Sequence, residues 1–269
     1  MIAIIDYGVG NLFSLKSSLK QLGLEAVVTA DADTIRKADR LILPGVGAFA
    51  DAMAKLEATG LVPVIKEEAE KKPLLGICLG MQLLFEKSYE YGEHEGLGFV
   101  KGEVCPLEPD LADKSLKVPQ IGWNALHIVK DDPLFQYIRE GEYVYYVHSY
   151  YGKNCAESTL AVSDYSIPVT GAVRAGRVYG TQFHPEKSGD TGLRILKAFS
   201  DWDVGAPSQA LTRQIPPFVV ARLLPPARGT SFLKGGALGK TGNFAVLPRP
   251  LPLGEVDTSS ASGRRGRGR

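Results

Sequence analysis

Among the 269 residues of the chain, Cys78 has the surroundings best suited to nucleophilic chemistry. It is the centre of Gly76-Ile77-Cys78-Leu79-Gly80, a G-x-C-x-G run where an apolar strand gives way to a helix. Glycines two residues to either side relieve crowding at a tight, strained turn, the form of a nucleophile elbow. The following helix directs its N-terminal amides toward the thiol, which favours thiolate over a free cysteine of pKa about 8.5. The N–H of Leu79 is then placed to stabilise an oxyanion. Taken alone, a cysteine in an apolar segment is more often a small buried side chain, so nucleophilic chemistry also requires a base and further donors.

The base is sought among four histidines. His184 sits in Phe183-His184-Pro185-Glu186, at the end of the strand expected over Val178–Phe183. A histidine at a strand end can face an elbow across the top of a parallel sheet, and the fixed φ of Pro185 helps to hold Glu186 where its carboxylate orients the imidazole. The bland reading is a surface His-Pro turn. His94 lies in an acidic, glycine-rich loop and His127 on an apparent strand, both structural or solvated; His148 belongs to Val147-His148-Ser149-Tyr150. A third element is Leu43-Pro44-Gly45-Val46-Gly47, where the glycines permit the close approach and unusual φ of an oxyanion loop. Glycine turns after strands are common, so this signal gains weight only beside the other two. The turn Gly8-Val9-Gly10 points only faintly to a dinucleotide loop, because Phe13 stands where a third glycine is required.

These residues need a scaffold that brings three strand ends together. Met1–Ile5 reads as a buried strand, followed by a glycine turn and a helix with Leu12, Leu15, Leu19 and Leu22 on one face. Strands at Glu25–Val28, Arg40–Leu43 and Leu74–Ile77 alternate with a helix inside Phe49–Lys72 and another from Leu79 to about Phe85. That alternation predicts βαβ units and a parallel sheet. Beyond Gly92 come short strands at Phe99–Cys105, Trp123–Val129, Tyr143–Val147, Thr159–Val162, Val169–Arg174 and Val178–Phe183, then a helix at Thr191–Phe199. The fold class expected is α/β, an open, mostly parallel sheet flanked by helices, with a mixed or antiparallel extension in the second half.

Two segments are expected, a domain over 1–202 and a Pro/Gly/Arg-rich, disordered tail over 203–269. The tail holds 8 of 17 prolines and 10 of 30 glycines and ends in Gly263-Arg264-Arg265-Gly266-Arg267-Gly268-Arg269. It carries a net charge of +7 against −6 for the remainder, for a total of +1. An acidic body argues against nucleic-acid binding by the core. For the tail a solvated extension is preferred over an RNA- or anion-binding arm, and translation from a shifted frame is a third reading. No run approaches the roughly 20 apolar residues of a membrane span, and Met1-Ile2-Ala3-Ile4-Ile5 lacks the basic start of a signal peptide, so a cytoplasmic protein is expected. Cys78, Cys105 and Cys155 are widely spaced with no C-x-x-C pair; disulfides and structural metal are not expected.

With G-I-C-L-G-M-Q, P-G-V-G and H-P-E in one chain, the sequence resembles the class I glutamine amidotransferases. Within them, D-Y-G-V-G-N-L near the start, V-P-Q-I-G-W-N at Val118–Asn124, V-H-S-Y at Val147–Tyr150 and T-Q-F-H-P-E-K-S at Thr181–Ser188 are similar to the family of glutaminase subunits of imidazole glycerol phosphate synthase. The resemblance spans about residues 1–200 and leaves the tail unmatched. It implies Cys78 as nucleophile, His184 as general base and acid, and Glu186 as the residue holding the imidazole. Gly45, Val46, Gly47 and the Leu79 amide form the implied oxyanion site, and Gly47, Gln82, Glu90 and Ser149 contact glutamine. It implies no cofactor, and as partner a (β/α)₈ cyclase that receives the ammonia, with Asn11, Trp123 and Lys187 in stretches where interface residues are found. Rival readings are a glutaminase serving pyridoxal phosphate, purine or anthranilate synthesis, a cysteine hydrolase or chaperone-like protein on a related sheet, and a silent interaction subunit.

Overall fold

The computed structural model describes residues 1–202; the stretch 203–269, expected to be a disordered tail, lies outside the described residues. In chain order the elements are β1 Ile2–Ile5, α1 Leu12–Gln21, β2 Ala26–Thr29, α2 Ala32–Lys37, β3 Arg40–Leu43, α3 Phe49–Ala58, α4 Val62–Ala69, β4 Leu74–Ile77 and α5 Leu79–Gln82. There follow β5 Phe85–Ser88, β6 His94–Glu95, β7 Val100–Pro106, β8 Gln120–Ala125, β9 His127–Ile128, β10 Tyr143–His148, β11 Tyr150–Lys153, β12 Thr159–Asp164, β13 Pro168–Ala175, β14 Val178–Thr181 and α6 Gly189–Asp201.

An eight-stranded sheet runs β2-β1-β3-β4-β14-β13-β12-β9. Its first five strands are parallel and the remaining pairings antiparallel, the mixed architecture expected of the second half. The parallel strands are apolar on both faces because helices cover both. Ala3, Ile5, Leu41, Leu43 and Leu74 face a core with Ile35, Phe49, Leu56 and Ile65 of α2, α3 and α4. Their neighbours in sequence, Ile2, Ile4, Ile42 and Leu75, face the opposite core with Leu15 and Leu19 of α1 and Ile195, Leu196 and Phe199 of α6. Each fully buried Leu, Ile or Phe contributes about 1.5–3 kcal/mol relative to exposure. At the C-terminal end of α6, the Arg40 guanidinium donates to the carbonyls of Phe199 and Trp202 and ties that end to β3.

Several elements depart from the sequence expectation. The helix after Cys78 spans only Leu79–Gln82, and Phe85 opens a strand. Leu83-Leu84-Phe85 is an unbroken apolar run whose periodicity does not distinguish helix from strand. Phe85 enters a separate four-stranded sheet of order β11-β7-β5-β6, with its ring packed on β11, where a Cβ on Gly152 would lie 2.5 Å from its Cζ. The helix expected inside Phe49–Lys72 is two helices, α3 and α4, separated at Gly60, whose φ is +70°, with Pro63 in the first turn of α4. The strand expected at Trp123–Val129 is split: β8 pairs with β10, while β9 joins the main sheet through β12. Helix α2, with Asp31 accepting from the Thr34 N–H as its N-cap, and strands β6 and β11 were not anticipated. Among the described residues, no helix is long and apolar enough to cross a membrane.

Candidate active site

Three adjacent parallel strands bring the chemistry together. Leu43 lies beside Gly76, and Ile77 beside Thr181, so the loops leaving β3, β4 and β14 emerge side by side at the carboxyl edge of the sheet. Ligands in open α/β sheets bind at that edge. These loops carry Gly45–Gly47, Cys78 and His184.

Cys78 has φ +54° and ψ −111°, a conformation a non-glycine residue adopts only when its surroundings impose it. Its N–H donates to Thr181 O at 2.7 Å, so the elbow is pinned to β14. The flanking glycines are required by close backbone approach. A Cβ on Gly80 would lie 1.9 Å from Leu43 O, one on Gly76 would lie 2.6 Å from Gly80 O, and one on Gly45 would lie 2.5 Å from Gly80 N. The elbow and the β3 loop are thus packed backbone to backbone, which only glycine allows. With α5 one turn long, electrostatic support for the thiol comes from the first-turn amides and not from an extended helix.

His184 follows β14 and is stapled to β10: its N–H donates to Tyr145 O at 2.9 Å, and its carbonyl accepts the Ser188 hydroxyl at 2.6 Å. Pro185–Lys187 forms a single 3₁₀ turn that carries Glu186 back to the ring. His184 Nδ1 donates to Glu186 Oε1 at 2.8 Å, with both side chains almost fully buried. That bond sets the tautomer and leaves Nε2 for the thiol. Burial alone would lower the imidazole pKa, but the thiol of Cys78 and the carboxylate of Glu186 outweigh it and raise the value to about 9. Nε2 nonetheless completes no hydrogen bond of full geometry. Cys78 still lies near enough to the ring for its thiol to raise the imidazole pKa.

The pair opens onto a cleft of about 620 Å³. Of the residues singled out by sequence, Val46, Gly47, Cys78, Leu79, Gln82, Glu90, Ser149 and His184 line it, together with Lys187 at its rim. Glu186 stands behind His184, outside the lining. Gly45, expected among the oxyanion donors, is also absent from the lining, because its backbone is packed against Leu79 and Gly80. Glu90 accepts from the Phe49 N–H at 2.6 Å, and burial raises its pKa despite that bond. The Gln82 amide donates to Tyr150 O at 2.9 Å and to Gln182 Oε1 at 3.1 Å, which leaves its own oxygen for a ligand.

Sequence reasoning gave no role to Gln182 or Tyr91, nor to His148 and Tyr150 within the Val147–Tyr150 run that it singled out. Gln182 Nε2 reaches Cys78 Sγ at 3.8 Å and links the thiol to Gln82. Its position two residues before His184, on the same face of an extended chain, was the available signal. His148 lines the cleft with Nδ1 bonded to Tyr150 O at 2.9 Å, so its buried Nε2 is an acceptor without a partner. Burial, with the nearby His184 charge, lowers its pKa to about 4, so it stays neutral across the physiological range.

A thiol held at a strained elbow, an imidazole backed by a buried carboxylate and a glycine loop facing them equip the site for attack on a carbonyl or amide carbon. Fold and site together define a class-I glutamine amidotransferase domain, and the glutamine amidotransferase class-I family profile matches residues 3–201. The chain is 51% identical over 203 residues to the imidazole glycerol phosphate synthase subunit HisH of Caldanaerobacter subterraneus subsp. tengcongensis, covering 75% of this chain and 98% of that protein. It is 47% identical to the subunit of the same name from Wolinella succinogenes, covering 75% and 99%. The chain belongs to this family of glutaminase subunits. Solved structures share the fold at lower identity. A glutamine amidotransferase aligns at 20% identity with TM-score 0.58 over 74% of this chain and 100% of that one. The Thermotoga maritima PurLQS structure aligns at 18% with TM-score 0.58 over 74% and 96%.

Proposed function

We propose that this chain hydrolyses glutamine to glutamate and ammonia, with Cys78 as nucleophile, and passes the ammonia to a cyclase subunit of imidazole glycerol phosphate synthase. The observation that carries the reading is the placement of Cys78, at positive φ, in one cleft with His184, whose ring is bonded from behind by buried Glu186. The thiolate sulfur attacks the side-chain amide carbon, and the carbonyl π electrons move to oxygen. The N–H groups of Val46, Gly47 and Leu79 stabilise that oxyanion. Collapse of the tetrahedral adduct breaks the C–N bond as His184 Nε2–H protonates the departing nitrogen, leaving a γ-glutamyl thioester and free ammonia. His184 then takes a proton from water, which attacks the thioester and releases glutamate and thiolate. Glu186 keeps the imidazole in the required tautomer and orientation.

Glu90 is the partner for the α-ammonium of glutamine, being a buried carboxylate in the cleft. The Gln82 oxygen, Gly47 and Ser149 supply further contacts. On this reading the partner is a (β/α)₈ barrel, the ammonia acceptor a ribulosyl nucleotide, and the products imidazole glycerol phosphate and an aminoimidazole carboxamide ribotide in histidine biosynthesis in the cytoplasm. Docking uses Asn11, Lys187 and Trp123; the last is 52% exposed, stacks edge-on against Tyr145, and neighbours exposed Ile121 and Tyr143. Residues 1–202 constitute the amidotransferase domain, and 203–269 are dispensable to it. The test is glutaminase turnover of the full chain alone and with the cyclase and its nucleotide. A low basal rate that rises on mixing supports the assignment; a high rate indifferent to the cyclase points to another synthase.

A further inference from the structure

The motif Asp6-Tyr7-Gly8-Val9-Gly10 has no part in the chemistry above, yet it closes around the root of the Gly45–Gly47 loop. Tyr7 is 4% exposed, and its hydroxyl donates to Pro44 O at 2.6 Å. Burial, with the nearby Cys78 charge, pushes its pKa upward, so the hydroxyl stays a donor. From the same turn, Gly10 lies against the proline ring, where a Cβ would sit 2.9 Å from Pro44 Cβ. Gly45 is immobilised from the other side by Leu79 and Gly80. At the far end of the loop, the Phe49 N–H is held by Glu90 at 2.6 Å. Between these anchors, Gly47 has φ +99° with open space where a Cβ would stand, and Val46 is 42% exposed.

We propose that Tyr7 is a positioning residue for the oxyanion loop. Its hydroxyl fixes the Pro44 carbonyl and with it the Pro44–Gly45 peptide plane, so that only Val46 and Gly47 are free to turn their amides toward the reacting carbonyl. The carbonyl and N–H of a trans peptide point in opposite directions, so holding one orients the other. Without that bond, the loop samples orientations in which the amides miss the oxyanion. Transition-state stabilisation falls more than ground-state binding of glutamine, to which Glu90, Gln82 and Ser149 contribute from outside the loop and Gly47 only one contact from within it. This inference rests on the glutaminase reading.

The experiment uses Tyr7→Phe in the full chain, assayed with its cyclase. The ring and its packing remain, and one buried hydrogen bond is lost. The expected result is a fall in kcat for glutamine hydrolysis of roughly three- to tenfold, the rate equivalent of one net hydrogen bond. KM should stay within about twofold, and Tm within about 4 °C of wild type. Alkylation of Cys78 by iodoacetamide, which needs the thiolate but no oxyanion site, should proceed at the wild-type rate. An unchanged kcat overturns the proposal, as does a KM that rises with the loss of kcat. So does alkylation that slows in parallel, because Tyr7 would then act on the thiol. If Tyr7→Phe does not fold, Gly10→Ala presses on the same proline and should give the same split of kcat from KM; a wild-type kcat there also overturns the proposal. Failure of the glutaminase reading is distinct: the wild-type complex would show no cysteine-dependent hydrolysis.

Discussion

Replacing Glu186 by Gln removes a charge while preserving shape and a hydrogen-bond acceptor for His184 Nδ1. In the wild type the imidazole pKa is about 9, a balance in which burial lowers it and the Cys78 and Glu186 interactions raise it. An opposite charge at hydrogen-bonding distance raises a pKa by about 1–3 units, so its loss should bring His184 down to roughly 6–8. In the proposed mechanism the imidazolium is the form that protonates the departing nitrogen. At pH 8, a group of pKa about 9 is roughly 90% protonated and one of pKa about 7 roughly 10%, so protonation alone costs about tenfold in rate. The assay is kcat/KM for glutamine against pH for both proteins in the complex with cyclase. Wild type should lose activity as pH rises through about 9, and the variant should lose it at least one unit lower, with part of the deficit recovered near pH 6. An alkaline limb that does not move would refute the assignment of Glu186 as the charge that holds the imidazolium.

Two further predictions follow from packing and burial. Gly192 in α6 touches the turn bearing Glu186, and a Cβ there would lie 1.9 Å from Pro185 O, so Gly192→Ala should displace the His184–Glu186 pair. Expected are an overpacking cost of about 1–3 kcal/mol in chemical denaturation and a larger fall in kcat than in glutamine affinity. His148, with a folded pKa of about 4 against about 6.5 unfolded, binds fewer protons folded than unfolded between those values. Its contribution to stability is present above about pH 6.5 and is lost as pH falls toward 4, about 2 kcal/mol by pH 5. The wild type should therefore lose more stability between pH 7 and pH 5 than His148→Gln, measured by urea unfolding, and equal losses would contradict the buried neutral state.

The parallel strands and the sequence runs around Cys78 and His184 were legible because each depends on local pattern. Arg40–Leu43 and Leu74–Ile77 were placed to the residue, since strands covered on both faces read as unbroken apolar runs. Cys78 and His184-Pro185-Glu186 stood out because the geometry that each needs requires glycine or proline at fixed offsets. What stayed hidden depends on contacts across the sheet. The apolar run Leu83-Leu84-Phe85 has no period of its own, and it becomes a strand because β7 and Gly152 receive it. Gly45 reads like Gly47 in sequence, yet one is packed against the elbow and the other faces the cleft. His148 was singled out only as a member of the Val147–Tyr150 run, with no role of its own. Only the fold shows that its free nitrogen is buried beside the thiol's cleft.

The central claim is that ammonia for the synthase is released from glutamine at Cys78. Its most direct test is Cys78→Ala in the complex with the cyclase, with synthesis measured on glutamine and separately on ammonium salt. The account predicts that glutamine-dependent synthesis is abolished while ammonia-dependent synthesis continues at the wild-type rate, because the cyclase and its docking are intact. Glutamine-dependent synthesis persisting in that variant would contradict it.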